Sequence, residues 1–218
     1  MFSKDNINMG EFLNIFDGRE TEIALRKFEK RDVDSIFKWK NDKHLLDMII
    51  GQVNSISYED ATLWVENCMK GDRSDLKFWA ICTNDDEKRI VGWTGLSQID
   101  ESNKSACQHG LVIGDNDYRD GTAMFEAMLL SMQYVFQNLK LHRLYGNCLS
   151  EHNTSPHLLN ALGYNLEGRE KDAFFKNERY YDVLNYALLE NDYKRLMKEG
   201  RYKKSNLIKL FIKSIKGK

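Results

Sequence analysis

A histidine on an alternating strand, a turn that hands backbone N–H groups to a helix, and a serine at the mouth of a second helix are the parts of this 218-residue chain that could do chemistry. His109 stands in Cys107-Gln-His-Gly-Leu-Val-Ile-Gly114. A neutral imidazole accepts a proton directly or through a water and so can serve as a general base. It can as well be a rim histidine bonded to a neighbour. Strict alternation puts Gln108, Gly110 and Val112 on one face of the strand, and His109 and Leu111 on the other. The turn Asp115-Asn-Asp-Tyr-Arg-Asp-Gly121 then leads into a helix starting at Thr122. The first turn of a helix has N–H groups without intrahelical partners and a positive dipole end, so it can hold a phosphate without any lysine. Ser155-Pro156 opens the second helix and Gly163 stops it. Serine at the N-cap followed by proline at the first helical position is a good start, and glycine is a good stop. That spacing fits capping alone, or capping together with a chemical role for the hydroxyl.

These groups need a scaffold, and the hydrophobic periodicity supplies one. A strand is predicted over 22–28. Over 31–40, Val33, Ile36, Phe37 and Lys40 share one helical side, while 42–55 fits either helix or loop. Ser57-Tyr-Glu-Asp60 reads as a capping-box start for a helix with Ala61, Trp64, Val65, Cys68 and Met69 on one face. Strands over 76–83 and 89–99 flank the charged turn Asn84-Asp-Asp-Glu87 and make a hairpin. A second turn at 101–104 leads into the strand over 105–113. The helix over 122–139 carries Met124, Ala127, Met128, Met132, Val135, Phe136 and Leu139 as one stripe, with Glu126, Gln133 and Gln137 facing away. Strands over 141–149, 164–171 and 180–189 alternate with helices over 155–163 and 191–198. Early hairpins followed by crossovers predict the α+β class.

The bulk numbers set bounds. With 42% hydrophobic and 30% charged residues, the chain has a globular composition, not a disordered one. A net charge of -1 gives no global basic field for nucleic acid. Cys68, Cys82, Cys107 and Cys148 lack CxxC spacing. They read as reduced core thiols of a cytoplasmic protein, not as a zinc site. No apolar run approaches the ~18 residues of a spanning helix, and the first residues lack the apolar stretch of a signal peptide. One domain over 22–199 is expected, with an arm over 1–21 containing Phe12, Leu13, Ile15 and Phe16, and a tail over 200–218. Residues 201–218 hold seven basic and no acidic side chains, with Ile208, Phe211, Ile212 and Ile215 on one stripe. Such a tail can pack on its own domain or on a second subunit of a homodimer, dock on a partner, or rest on an anionic membrane.

Strand, turn, helix, strand and capped helix over 107–163 resemble the acyl-CoA-binding core of the Gcn5-related N-acetyltransferases, and the likeness extends over 22–190. Within that superfamily the chain resembles the branch of ribosomal-protein N-terminal, spermidine and aminosugar acetyltransferases. Gln108-His-Gly110, Lys140-Leu-His142, Tyr164-Asn-Leu-Glu-Gly-Arg169 and Tyr181-Asp-Val-Leu184 are similar to the aminosugar enzyme of the pseudaminic acid pathway. The resemblance implies a mixed, twisted sheet of about seven strands flanked by helices, and acetyl-CoA as cofactor. The family's Gln/Arg-x-x-Gly-x-Gly/Ala turn maps onto Arg119-Asp-Gly-Thr-Ala-Met124, with Thr122 and Met124 at the glycine positions. One residue tighter, Gly121 and Ala123 take those positions and Tyr118 the first. Arg119, Asp120, Gly121, Thr122, Ala123 and Met124 are thereby assigned to the pyrophosphate.

The family's Asn-x-x-Ser segment places Ser155 by the sulfur as an acid. It puts His152 at the asparagine position, with Asn153 one residue off; both are assigned to the cofactor. Leu111, Val112 and Ile113 would flank the acyl chain, an N–H near Leu111 or Val112 stabilising the oxyanion. His109 stands where relatives often carry a carboxylate. Gln108, Tyr180, Tyr181 and Asp182 would wall the acceptor pocket, although tyrosines and an aspartate are common at hairpins without any ligand. The implied function is direct attack of a primary amine on acetyl-CoA, with a nucleotide-linked amino sugar as the preferred acceptor. A protein N-terminus, a polyamine, and a non-catalytic scaffold of the same fold are the alternatives.

Overall fold

The structure, a computed structural model, describes residues 15–16, 19–51 and 54–216. Most of the expected arm, including Phe12 and Leu13, lies outside the described residues. β1 (Ile15–Phe16) and β2 (Arg19–Glu20) pair antiparallel with each other. The alternating segments form the main sheet: β3 (Ile23–Arg26), β4 (Lys77–Thr83), β5 (Ile90–Asp100), β6 (Ser105–Ile113), β7 (Arg143–Leu149), β8 (Asn165–Lys176) and β9 (Arg179–Leu189). Their order is β3-β4-β5-β6-β7-β9-β8. β6 and β7 run parallel, and every other neighbouring pair is antiparallel.

Two helical layers cover this sheet. On one face lie α1 (Val33–Trp39), α2 (Lys43–Met48) and α3 (Tyr58–Lys70). Ile36, Trp39, Ala61 and Val65 pack there against Ala80, Trp93 and Val112. α3 begins with the expected capping box: Ser57 Oγ accepts from the Asp60 N–H at 3.0 Å, and the Asp60 carboxylate accepts from the Ser57 N–H at 3.2 Å. On the other face lie α4 (Thr122–Gln133), α5 (Ser155–Leu162), α6 (Glu190–Lys198) and α7 (Lys204–Lys216). Their side chains join Ile23, Val91, Leu96, Ala106, Leu144 and Leu188 in the larger core.

Two expectations for α4 are corrected. Besides the predicted stripe, Ala123, Phe125, Leu129 and Leu130 are buried in the same core, and α7 reaches the helix at Phe125. The Phe125 and Phe211 rings meet edge to face at 5.4 Å. Glu126 does not face away: its carboxylate accepts from the N–H groups of Glu22 (2.9 Å) and Ile23 (3.2 Å) at the start of β3, and burial raises its pKa. The helix ends in a wider π turn, Tyr134–Asn138. The stripe expected of the tail is also divided. Phe211 faces inward with the buried Leu207, while Ile208, Ile212 and Ile215 stay exposed.

Candidate active site

The main irregularity of the sheet is a gap between β6 and β7. Their parallel pairing is confined to Ser105↔Arg143, Ala106↔Leu144 and Cys107↔Tyr145. β7 keeps its ladder to β9 as far as Leu149↔Val183, and β6 keeps its ladder to β5. From Gln108 and Gly146 onward the facing edges therefore splay apart. Alternate residues of a strand aim their N–H and C=O groups at opposite edges, so part of the upper β6 backbone points into the gap.

A bulge shapes this strand. Thr94 pairs with Leu111 and Gly95 with His109, which leaves Gly110 as an extra residue at φ +63°, a left-handed conformation suited to glycine. The bulge overturns the expected facing. His109 shares the α1–α3 face with Val112, opposite Gly95 and Trp93, whereas Gln108, Leu111 and Ile113 share the α4–α7 face. One inserted residue shifts the alternation by one, and every later side chain changes sides.

His109 is solvent-exposed, with its ring edge on Phe78 at 5.5 Å. The Lys40 ammonium lies 4.4 Å from the Trp64 ring and 5.6 Å from Trp93. Partial burial, helped by the Lys40 charge, holds the His109 pKa below its ordinary 6.5. Desolvation favours the neutral form, and so does a nearby cation. Farther across the same face, Asn147 and Glu170 are also exposed, so the sheet is open to solvent there. Gln108 lies across the sheet from His109. Its Nε2 donates to Thr94 Oγ1 (2.8 Å) and to the Gly95 carbonyl (3.1 Å). The aromatic and cationic neighbours come from positions 16 to 69 residues away in the chain, and no local motif announces them.

At the end of β6 the chain turns into α4. Gly121 precedes the helix at φ +96°, and Thr122 is its first residue. That start places Gly121 and Ala123, the small residues of the tighter register, at the helix mouth. Asp120 Oδ1 accepts from the Thr122 N–H at 2.8 Å, so a carboxylate already sits at this positive end. Arg119 is folded back, donating to the carbonyls of Ile113 (3.0 Å) and Gly114 (2.9 Å). It ties down the top of β6. The N–H groups of Ala123 and Met124 belong to the first turn and lack intrahelical acceptors.

Across the gap, the cap of α5 differs from expectation. Thr154 is the N-cap residue, without a side-chain cap bond, and Ser155 is already helical. The cap comes from His152 instead: Nδ1 accepts from the N–H groups of Thr154 (3.1 Å) and Ser155 (3.0 Å). This leaves Ser155 Oγ unburdened by capping, at the N-terminal end of the helix that follows β7. Asn153 is exposed. Burial lowers the His152 pKa, and only the neutral ring can accept both bonds. Replacing His152 by alanine should cost about 1 kcal/mol and lower Tm by about 2–4 °C. This stabilisation is complete above pH 6.5 and is lost as pH falls from there through the lower folded-state pKa. Melting curves of both proteins should show a gap at neutral pH that closes in acid. A gap independent of pH would contradict the assignment.

The hairpin of β8 and β9 does not bring its three candidate residues together. Tyr181 is buried with Leu149 and Val183, on the α1–α3 face beside Ile50 and Phe174. Alternation turns Tyr180 and Asp182 to the opposite side. Tyr180 is 61% exposed beside Phe175, and Asp182 accepts from Arg169 Nε at 2.6 Å. A residue not singled out in the sequence, Lys176, closes the hairpin onto α2. It is 2% exposed and donates to the carbonyls of Leu46 and Ile49. None of the four cysteines has a reactive setting: burial raises every thiol, Cys148 to about 11 and Cys68 to about 12, so thiolates are scarce at neutral pH. Among the described residues no group of histidine, cysteine and carboxylate side chains forms a metal site.

Residues 22–165 match the family model of the acetyltransferase (GNAT) domain. An uncharacterized N-acetyltransferase of Bacillus licheniformis, p20, is 28% identical over 172 residues, which are 78% of this chain and 94% of that protein. The [ribosomal protein uS5]-alanine N-acetyltransferase of Escherichia coli (strain K12) is 31% identical over 108 residues, 50% of this chain and 55% of the relative. Among solved structures, the spermidine N-acetyltransferase from Vibrio cholerae in complex with CoA and spermine has a TM-score of 0.70 at 21% identity, covering 79% of this chain and 98% of that one.

Proposed function

Because the chain belongs to the GNAT acetyltransferase family, we propose that its acceptor is a primary amine on an anionic small molecule, a nucleotide-linked amino sugar. The reaction itself is acetyl transfer from acetyl-CoA. The observation that carries the acceptor is the charge beside His109: it comes from the Lys40 ammonium, on an otherwise open sheet face. A cation there opposes the ammonium groups of a polyamine and suits an acceptor bearing phosphate; the Glu170 carboxylate, farther across the face, already accepts from Asn185 Nδ2 at 2.6 Å.

The residues present fit acetyl-CoA. The unpaired upper edge of β6 offers backbone groups to an extended amide-bearing chain, and the mouth of α4 offers N–H groups and a dipole end to the pyrophosphate. Gly121, Thr122, Ala123 and Met124 would hold the diphosphate, and Leu111, Val112 and Ile113 would flank the pantetheine arm. Asp120, Arg119, His152 and Asn153 border this site, the first three already engaged by the protein's own backbone. The bound thioester supplies an activated acetyl carbon. His109, directly or through a water, takes the proton that the acceptor ammonium must lose before its nitrogen can attack. A β6 N–H at Leu111 or Val112 faces the oxygen that gains charge. Ser155, freed from capping, gives its proton to the departing sulfur. Gln108 orients the strand through Thr94 and Gly95, and Tyr181 closes the far wall. The exposed Tyr180 and the Arg169-bound Asp182 serve the hairpin.

A protein N-terminus is the second reading, supported by the similarity to the uS5-alanine enzyme. The first experiment is a melting curve with and without acetyl-CoA, repeated with desulfo-CoA. A ligand at about 100 times its Kd stabilises by about 2.7 kcal/mol, which raises Tm by about 5–11 °C. No rise with either compound would remove the assigned donor site. With that site in hand, turnover should follow a nucleotide-linked amino sugar over spermidine and over a peptide beginning with alanine. Preference for either of the others overturns the acceptor assignment.

A further inference from the structure

Helix α7 is held firmly on one side and bare on another. Leu207 is buried, Phe211 meets Phe125, and Ser214 Oγ lies 2.7 Å from Nδ1 of the buried His157. On the outer flank Ile208, Ile212 and Ile215 recur at helical spacing and are 39%, 45% and 46% exposed. Lys209, Lys213 and Lys216 border this stripe and, with Ile212, line a shallow concavity. Charge is arranged to match. Residues 201–218 hold seven basic and no acidic side chains, whereas the first 200 residues hold 25 basic and 33 acidic.

We propose that α7 seats this enzyme on an anionic lipid surface, its isoleucines in the headgroup region and its lysines on lipid phosphates. Lysine stems lie along apolar surface while their ammonium groups reach outward, which is the arrangement such a helix needs. The acidic body is repelled by the same surface, so the protein approaches with α7 first. Three isoleucines fall well short of the area of about 1,000 Å² that a stable protein interface requires. In a two-fold dimer through this face, each lysine row would meet its own copy. An anionic membrane needs neither a large apolar patch nor a shaped partner.

Sedimentation of the full chain with phosphatidylcholine vesicles, with and without phosphatidylglycerol, tests this. At about 0.1 M salt the protein should pellet with the anionic vesicles alone, and at about 1 M, where screening acts within about 3 Å, it should be released. The Lys209→Gln/Lys213→Gln/Lys216→Gln variant should lose roughly a hundredfold in partition, about fivefold for each lysine. Ile212→Ser/Ile215→Ser should lose about tenfold at low salt, since the apolar stripe is part of the contact. All five positions are exposed, and unchanged melting curves would show that the variants keep the fold. The proposal falls if anionic vesicles do not bind, if neutral ones bind equally, or if the isoleucine variant binds like the parent. It also falls if gel filtration shows a dimer that the isoleucine variant dissolves.

Discussion

Replacing His109 by glutamine is expected to lower kcat about a hundredfold, the low end for loss of a general base, and to leave the KM for acetyl-CoA nearly unchanged. The ring sits on the open α1–α3 face beside the splay, away from the helix mouth proposed for the diphosphate, so on that proposal donor binding does not depend on it. The pH profile provides the sharper reading. A base works only when neutral, and burial together with Lys40 holds the His109 pKa below 6.5. Turnover should therefore be full above pH 6.5 and fall in acid, as pH drops through the lowered pKa. Lys40→Met removes the second of the two causes, so the acid limb should move up toward pH 6.5 without disappearing. In His109→Gln the limb should be absent and the residual rate flat. A glutamine variant that keeps both its rate and its acid limb would place the base elsewhere.

What could be read from the sequence depended on how local its physical cause is. The capping box of α3, the strand over 105–113 and the stop at Gly163 arise within a few residues, and each was legible. The bulge at Gly110 left only one trace, an isolated glycine inside a strand pattern, which hints at a bulge without saying which face follows. That single residue decides that His109 shares a face with Val112, and Gln108 with Leu111. The cap of α5 was misplaced because serine and proline make a good start on paper. His152, three residues before that serine, competes with a better-placed acceptor, and only the fold shows that it wins. Lys40, whose charge acts on His109, meets the Trp64 and Trp93 rings from two other elements, and Glu126 reaches β3 across about 100 residues. Neither convergence has a periodic signature. Phe125 lies outside the stripe of α4 that periodicity marks, and its partner Phe211 comes from a segment 86 residues further along the chain.

The second large effect is expected at Gly92, against the end of β6. A Cβ built on this residue would run into the Val112 carbonyl oxygen, with the Ile113 Cα and the Val112 carbonyl carbon at 3.1 Å. The obstacle is backbone, which cannot swing away as a flexible side chain can. Just beyond, the N–H groups of Gly114 (2.9 Å) and Asp115 (3.0 Å) both donate to the Val91 carbonyl, drawing the end of β6 over β5. A bare Gly92 permits that approach, which lies on the side of β6 away from β7. Gly92→Ala must either unfold the region or push β6 back toward β7, narrowing the gap. Overpacking at this level costs about 3 kcal/mol, so Tm should fall by about 6–12 °C. In the fraction that folds, the KM for acetyl-CoA should rise while the acid limb set by His109 stays where it was. A variant with an unchanged melting curve and an unchanged KM would show that the splay does not depend on the close passage of β6 over Gly92. The bulge at Gly110 would then have to open the sheet by itself.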